Sequence, residues 1–163
     1  MLFRSRDLET ISLAVTAAEM GILILGTLHT NGASAAVDRI INVFPPGEEP
    51  YIRSMLSTSL CGVISQQLVK TADNRGQLAA VETLINNSAA SNIIREGKTE
   101  QLETVIQAGA LQGMQSIDMA LRRLLDEKLI TGEEAYRKAR LKTNFEQYRE
   151  QDEKTDTTIP KFQ

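Results

Sequence analysis

Gly21-Ile22-Leu23-Ile24-Leu25-Gly26-Thr27-Leu28-His29-Thr30-Asn31-Gly32 is the stretch on which the fold turns. A short, unbroken apolar run bounded by glycines reads as a buried strand of the parallel kind, covered on both faces. Its polarity changes at Thr27-Leu28-His29-Thr30, and Asn31-Gly32 then breaks the chain. Upstream, Asp7-Leu8-Glu9-Thr10 offers a helix start with early acidic residues, which suit the positive end of a helix dipole. Ile11, Leu13, Ala14, Ala17 and Ala18 then recur at helical spacing, and Gly21 stands where a left-handed stop belongs, so a helix is predicted over 8–20. Downstream, Ala35 to Phe44 resumes helical periodicity and is stopped by Pro45-Pro46. Helix, strand and helix with short connections is the α/β order.

Farther along, a helix is predicted after Pro50 through Ile52, Met55, Leu56, Leu60 and Ile64. Asn74-Arg75-Gly76 is a turn signal between Gln66–Lys70 and Gln77–Ile85, which predicts a hairpin with its first strand beginning near Ser65. Ser88 to about Ala139 reads as helical throughout, with Thr131-Gly132-Glu133-Glu134 starting the last short helix. From about Glu146 the chain is polar, and Asp152 to Thr158 reads as a mobile tail. The expected organisation is therefore 1–85, 86–145 and a polar, disordered 146–163. Only about three strands are legible, against the four to six of a typical sheet. The run from Ile22 reads as central, so it is expected to lack partners within this chain.

Composition excludes several classes. The chain has 163 residues, with 18 Lys+Arg against 21 Asp+Glu, a net charge of -3. That argues against nucleic-acid binding by a clustered basic patch. Trp is absent and aromatics are 4%, which removes base-stacking platforms. One cysteine, Cys61, and one histidine, His29, allow neither an internal disulfide nor a self-contained zinc site. No apolar run approaches the roughly 18–20 residues of a membrane span, so no membrane insertion is expected. The N-terminal residues lack the apolar core of a secretory signal, and a reducing cytoplasm is the expected compartment.

Four stretches could carry chemistry. His29 stands at the carboxyl end of its strand, where open α/β sheets bind ligands, and with Thr27 and Thr30 it could donate to a phosphate. The plain alternative is a structural histidine with Thr30 as a helix cap. Arg6-Asp7 could be a charge pair beside an anion site, or a cap and a solvated arginine. Gly97-Lys98-Thr99 matches the end of a phosphate loop, G-x-x-x-x-G-K-S/T, but the first glycine would fall on Asn92 and the preceding residues read as helix. Ser88 to Glu96 is, taken alone, a capped amphipathic helix with a charged end.

Taken together, these blocks resemble a known family. Arg6-Asp7-Leu8-Glu9-Thr10-Ile11, Ala17-Ala18-Glu19-Met20-Gly21 and Gly26-Thr27-Leu28-His29-Thr30 look like the end of the Walker B motif, the next helix and the histidine box of the secretion and type IV pilus ATPases. Arg53-Ser54-Met55-Leu56 and Val63 to Leu68 continue the likeness, which covers roughly 6–145. Within that family the retraction ATPases of twitching motility are most similar, because Ala89 to Glu96 resembles their A-I-R-N-L-I-R-E motif, departing chiefly at Ala90 and Ser91. Cys61 alone cannot make the paired-cysteine zinc insertion of the other branches.

The resemblance implies an α/β fold: the C-terminal half of a RecA-like P-loop ATPase core, followed by a helical C-terminal region. It implies a cytoplasmic hexamer, peripheral to the inner membrane, that uses ATP and magnesium to drive pilus retraction against an inner-membrane platform protein. His29 would contact or sense the γ-phosphate, with Gly26, Thr27 and Thr30 shaping the strand end and Arg6 and Asp7 organising the Walker B side. Ala89, Asn92, Ile93, Ile94, Arg95 and Glu96 would lie on the retraction helix. Phe3 and Arg4 stand where the family has Gly and its catalytic Glu, and an arginine cannot orient or deprotonate an attacking water. With no phosphate loop either, the chain alone is expected to bind ATP weakly. The alternatives are a non-catalytic interaction module and the remnant of a truncated gene.

Overall fold

The computed structural model describes residues 2–4 and 8–151. Arg6 and Asp7 lie outside the described residues, as does the segment 152–163. The order is β1 (Leu2–Arg4), α1 (Leu8–Glu19), β2 (Leu25–Thr27), α2 (Ala33–Ile41), α3 (Glu49–Ser59), β3 (Gly62–Lys70), β4 (Gln77–Ile85), α4 (Ser88–Glu96), α5 (Leu102–Ala108), α6 (Ile117–Asp126) and α7 (Gly132–Lys138). Short 3-10 turns occupy Thr99–Gln101 and Ala110–Gln112, and Lys142–Gln151 is 3-10 with a kink at Phe145.

α1 ends as its sequence dictates. Gly21 takes φ +86, and the Gly21 and Ile22 amides donate back to Ala18 and Ala17 at 3.0 and 3.1 Å. A left-handed residue of this kind is cheap only for glycine. β2 is shorter than the predicted run and pairs in parallel with β1, Phe3 beside Gly26 and Arg4 beside Thr27. The expected burial is not seen: Ile22, Leu23 and Leu25 are 51%, 66% and 57% exposed. An apolar run is buried only where neighbouring layers cover it, and among the described residues β1 is the strand that pairs with β2.

α3 stops at Ser59, so Leu60 and Ile64 are not helical as predicted. Leu60 is extended, at φ -65 and ψ 125, and leads into β3. β3 and β4 pair as a hairpin, closed by Thr71 N donating to Gly76 O and Asn86 N donating to Cys61 O, at 3.1 and 3.0 Å. The helical region predicted from Ser88 to about Ala139 is divided among α4, α5, α6 and α7, the last of them starting after Thr131 as expected. Gly97 and Gly113 at φ +74 and +87, and Lys128 at φ +58, turn the chain between helices.

The described residues divide into two compact units, one drawn from Met1–Gln66 with Glu82–Ser116, the other from Gln67–Val81 with Ile117–Gln163. In the first, Ile11 and Val15 of α1, Val37 and Ile41 of α2, Ile52, Met55 and Leu56 of α3, and Ala90 and Ile94 of α4 share one core with Leu84, Leu102 and Ile106. Each buried Ile or Leu contributes roughly 1.5–3 kcal/mol. In the second, Ile117, Leu121 and Leu124 of α6 pack with Val69, Ile130, Ala135 and Phe145. Buried Asp118 accepts the Arg140 and Leu141 amides at 2.8 and 3.0 Å and the Asn144 amide group at 3.1 Å.

Candidate functional site

The candidate residues fall into two groups in the first unit. Gly26 and Thr27 are on β2, and Leu28 to Gly32 link it to α2. His29 is exposed and Thr30 half-buried. The imidazole is therefore open to solvent at a strand's carboxyl end, where an open α/β sheet holds its ligands. The parallel register sets Phe3 and Arg4, in the Walker B-like segment, beside Gly26 and Thr27 of the histidine stretch.

The loop that carries His29 is tied down by residues the sequence reading did not single out. The residue before α2 is Gly32, at φ +103, with no side chain to cap the helix, so Thr30 is not the cap. Two strand residues supply the acceptors instead. Ser65 Oγ accepts the Gly32 amide at 2.9 Å, and Glu82 Oε1 accepts the Ala33 amide at 2.7 Å. Glu82 is 1% exposed. A signal existed: Ala80, Glu82 and Leu84 alternate along β4, so a register that buries Ala and Leu buries the Glu between them. A carboxyl on that face needs a donor.

The second group is α4. Its cap is Asn87, one residue before Ser88, whose Oδ1 accepts the Ala90 amide at 3.0 Å. Ile94 is fully buried and Ile93 packs partly against the same core, whereas Ala89, Asn92, Arg95 and Glu96 are exposed. Arg95 donates to Asn92 Oδ1 at 3.3 Å, and Glu96 pairs with Lys98 at 2.8 Å. That pair draws the Glu96 carboxyl below, and the Lys98 ammonium above, their ordinary pKa. Ser91 turns inward and donates to Ser57 O at 2.5 Å, while Asn86 Nδ2 donates to Ser57 O and Leu60 O at 3.0 and 2.8 Å. These bonds satisfy carbonyls at the end of α3. Gly97 is a left-handed helix stop whose amide returns to Ile94 O, so Gly97-Lys98-Thr99 does not form a phosphate loop.

Among the described residues no group of three or more His, Cys, Asp or Glu could hold a metal ion, and no helix is long and apolar enough to cross a membrane.

Comparison with known proteins bears on the fold and the family. The chain is similar to the twitching motility protein of Neisseria gonorrhoeae, 54% identical over 134 residues, covering 82% of this chain and 36% of the relative. It is similar to the type IV pilus retraction ATPase PilT of Pseudomonas aeruginosa, 49% identical over 140 residues, covering 86% and 40%. The crystal structure of the pilus retraction motor PilT with bound ADP superposes with a TM-score of 0.77 at 38% identity, covering 88% of this chain and 40% of that one. The α/β fold is thus shared with part of a PilT-type ATPase, and the chain spans well under half the length of these relatives. The type II/IV secretion system protein family model matches residues 1–161, and on that match the chain belongs to this family.

Proposed function

We propose that this chain is the C-terminal part of a hexameric motor ATPase that couples ATP hydrolysis to type IV pilus retraction. One observation carries the reading: the sole histidine is exposed at the carboxyl end of a strand paired with the Walker B-like segment. From there His29 reaches the γ-phosphate, and Gly26, Thr27 and Thr30 shape the strand end around it. Arg6 and Asp7 organise the Walker B side. Most of the catalysis in phosphoryl transfer is positioning and stabilisation of spread charge, which a fixed imidazole supplies. ADP bound to the similar PilT motor supports a nucleotide role.

The exposed side chains of α4, Asn92, Arg95 and Glu96, serve motion or subunit contact, while Ile93 and Ile94 anchor the helix and Ala89 lies on its first turn. We assign 1–85 to the ATPase core, 86–145 to the helical subdomain and 146–163 to a polar tail. The complete enzyme acts at the cytoplasmic face of the inner membrane, on a pilus platform protein. Magnesium comes with ATP there. Among the described residues no cluster of three or more His, Cys, Asp or Glu could hold the ion by itself. With Phe3 and Arg4 at the positions of the family's Gly and Glu, the chain alone binds ATP weakly.

Replacing His29 by Ala in the complete ATPase tests the reading. Loss of hydrolysis with unchanged melting supports it; unchanged hydrolysis replaces it with a non-catalytic interaction module. Calorimetric titration of ATP into the 163-residue chain is expected to show no micromolar binding.

A further inference from the structure

We propose that Glu82 is a positioning residue for the His29 loop, its buried carboxyl pinning the first turn of α2 and thereby fixing where the imidazole stands. The inference rests on the reading of His29 as a phosphate contact. The loop from β2 to α2 is short, and its far end is held at two successive amides. Gly32 N donates to Ser65 and Ala33 N to Glu82, 2.9 and 2.7 Å. Gly32 has no side chain to cap its own helix and sits at φ +103. The amide at Ala33 would otherwise be an orphan in a wholly buried residue. Glu82 does the work of a cap from 49 residues away, which joins the loop to a strand rather than to its own helix.

The placement has a second consequence. A helix N-terminus attracts anions through its free amides and its dipole. Here a carboxyl of the protein already sits on the Ala33 amide. That amide is closed to an incoming phosphate, which the strand-end side chains of His29 and its threonines are placed to meet.

The test uses Glu82→Ala, Glu82→Gln and Ser65→Ala. Gln keeps the acceptor oxygen, so Glu82→Gln guards against a variant that fails to fold. In the 163-residue chain, amide hydrogen exchange at Ala33 and the ring signals of the sole histidine are recorded by NMR. Glu82→Ala is expected to speed Ala33 exchange about tenfold, the change expected for one lost hydrogen bond, and to broaden the His29 ring signals. Glu82→Gln is expected to restore both, and Ser65→Ala to speed Gly32 exchange. In the complete ATPase, Glu82→Ala is expected to lower kcat about tenfold or more with KM for ATP within about twofold, and Glu82→Gln to recover most of kcat. Unchanged Ala33 exchange and His29 signals in Glu82→Ala would overturn the proposal, as would a loss not rescued by Gln. The two readings fail separately. Hydrolysis unaffected by His29→Ala removes the phosphate role, and the exchange data still judge whether Glu82 holds the loop. Hydrolysis lost with His29→Ala but kept with Glu82→Ala removes only the positioning role.

Discussion

The carboxyl of Glu134 accepts the Lys70 amide at 2.9 Å, joining the first turn of α7 to the end of β3 across 64 residues of chain. Glu134 is 4% exposed and also takes a hydrogen bond from half-exposed Arg137. Its own amide is capped by Thr131 Oγ1 at 3.2 Å. Glu134→Ala removes the acceptor of the part-buried Lys70 amide, while the half-exposed Arg137 guanidinium turns to water. The loss expected is that of one ordinary hydrogen bond, about 0.5–1.5 kcal/mol, and less for Glu134→Gln. Urea unfolding of the two variants measures it; a loss under about 0.5 kcal/mol for Glu134→Ala, the scale of an ordinary surface change, removes the tie.

Gly97 separates a helix stop from a phosphate loop. Its φ of +74 is left-handed, and a Cβ built there would lie 3.4 Å from Arg53 Cζ and Nε. Gly97→Ala is expected to cost about 1–2 kcal/mol, from the strained backbone with little relief by the neighbour. Any nucleotide affinity of the complete ATPase should stay unchanged. A denaturation curve and an ATP titration on the same variant check both parts, and a fall in affinity without a fall in stability would reverse the assignment.

What was legible in the sequence was local. Gly21 announced the end of α1, Asn74-Arg75-Gly76 the hairpin, and Thr131 the start of α7, because each acts through its own backbone. What was not legible depended on distant residues. Leu23 and Leu25 read as buried, yet burial comes from other layers and the pattern cannot show which are present. Ile64 read as helical because its spacing from Leu60 fits a helix, whereas β3 is held by its pairing with β4. At the site, His29 was visible as a polar residue at a strand end. The ties from Ser65 and Glu82 were not, since hydrogen bonds across 33 and 49 residues leave no mark on local spacing.

Ala90 and Ser91, where α4 departs from the A-I-R-N-L-I-R-E pattern, have local physical reasons. Ala90 is fully buried against the core of the first unit, so a larger side chain needs room that is filled. Ala90→Ile is expected to destabilise by about 1–3 kcal/mol through overpacking. Ser91→Ala removes the 2.5 Å bond to Ser57 O, while Asn86 still serves that carbonyl, and should cost about 0.5–1.5 kcal/mol. Thermal melts of the two single variants and the double variant separate the effects. Ala90→Ile melting at or above the parent temperature would mean that α4 has slack the packing does not suggest.

The turn after β3 carries a pH signature. Asp73 Oδ1 accepts the Thr71 hydroxyl at 2.6 Å and the Arg75 amide at 3.1 Å, and the Thr71 bond, ahead of the amide, holds the Asp73 carboxyl below its ordinary pKa. Both bonds favour the ionised form. Because the folded-state pKa lies below the unfolded one, the turn's contribution is complete above the ordinary carboxylate range. It is lost as pH falls through the depressed folded value. Asn74, left-handed at φ 55, depends on the same turn for its conformation. Thr71→Val is expected to move the Asp73 titration up toward the ordinary value, and Asp73→Asn to abolish the acid-dependent shift of the Arg75 amide. An NMR titration of the Asp73 carboxyl carbon and the Arg75 amide follows both. An Asp73 midpoint unmoved by Thr71→Val would mean that the hydroxyl is not the group that depresses it.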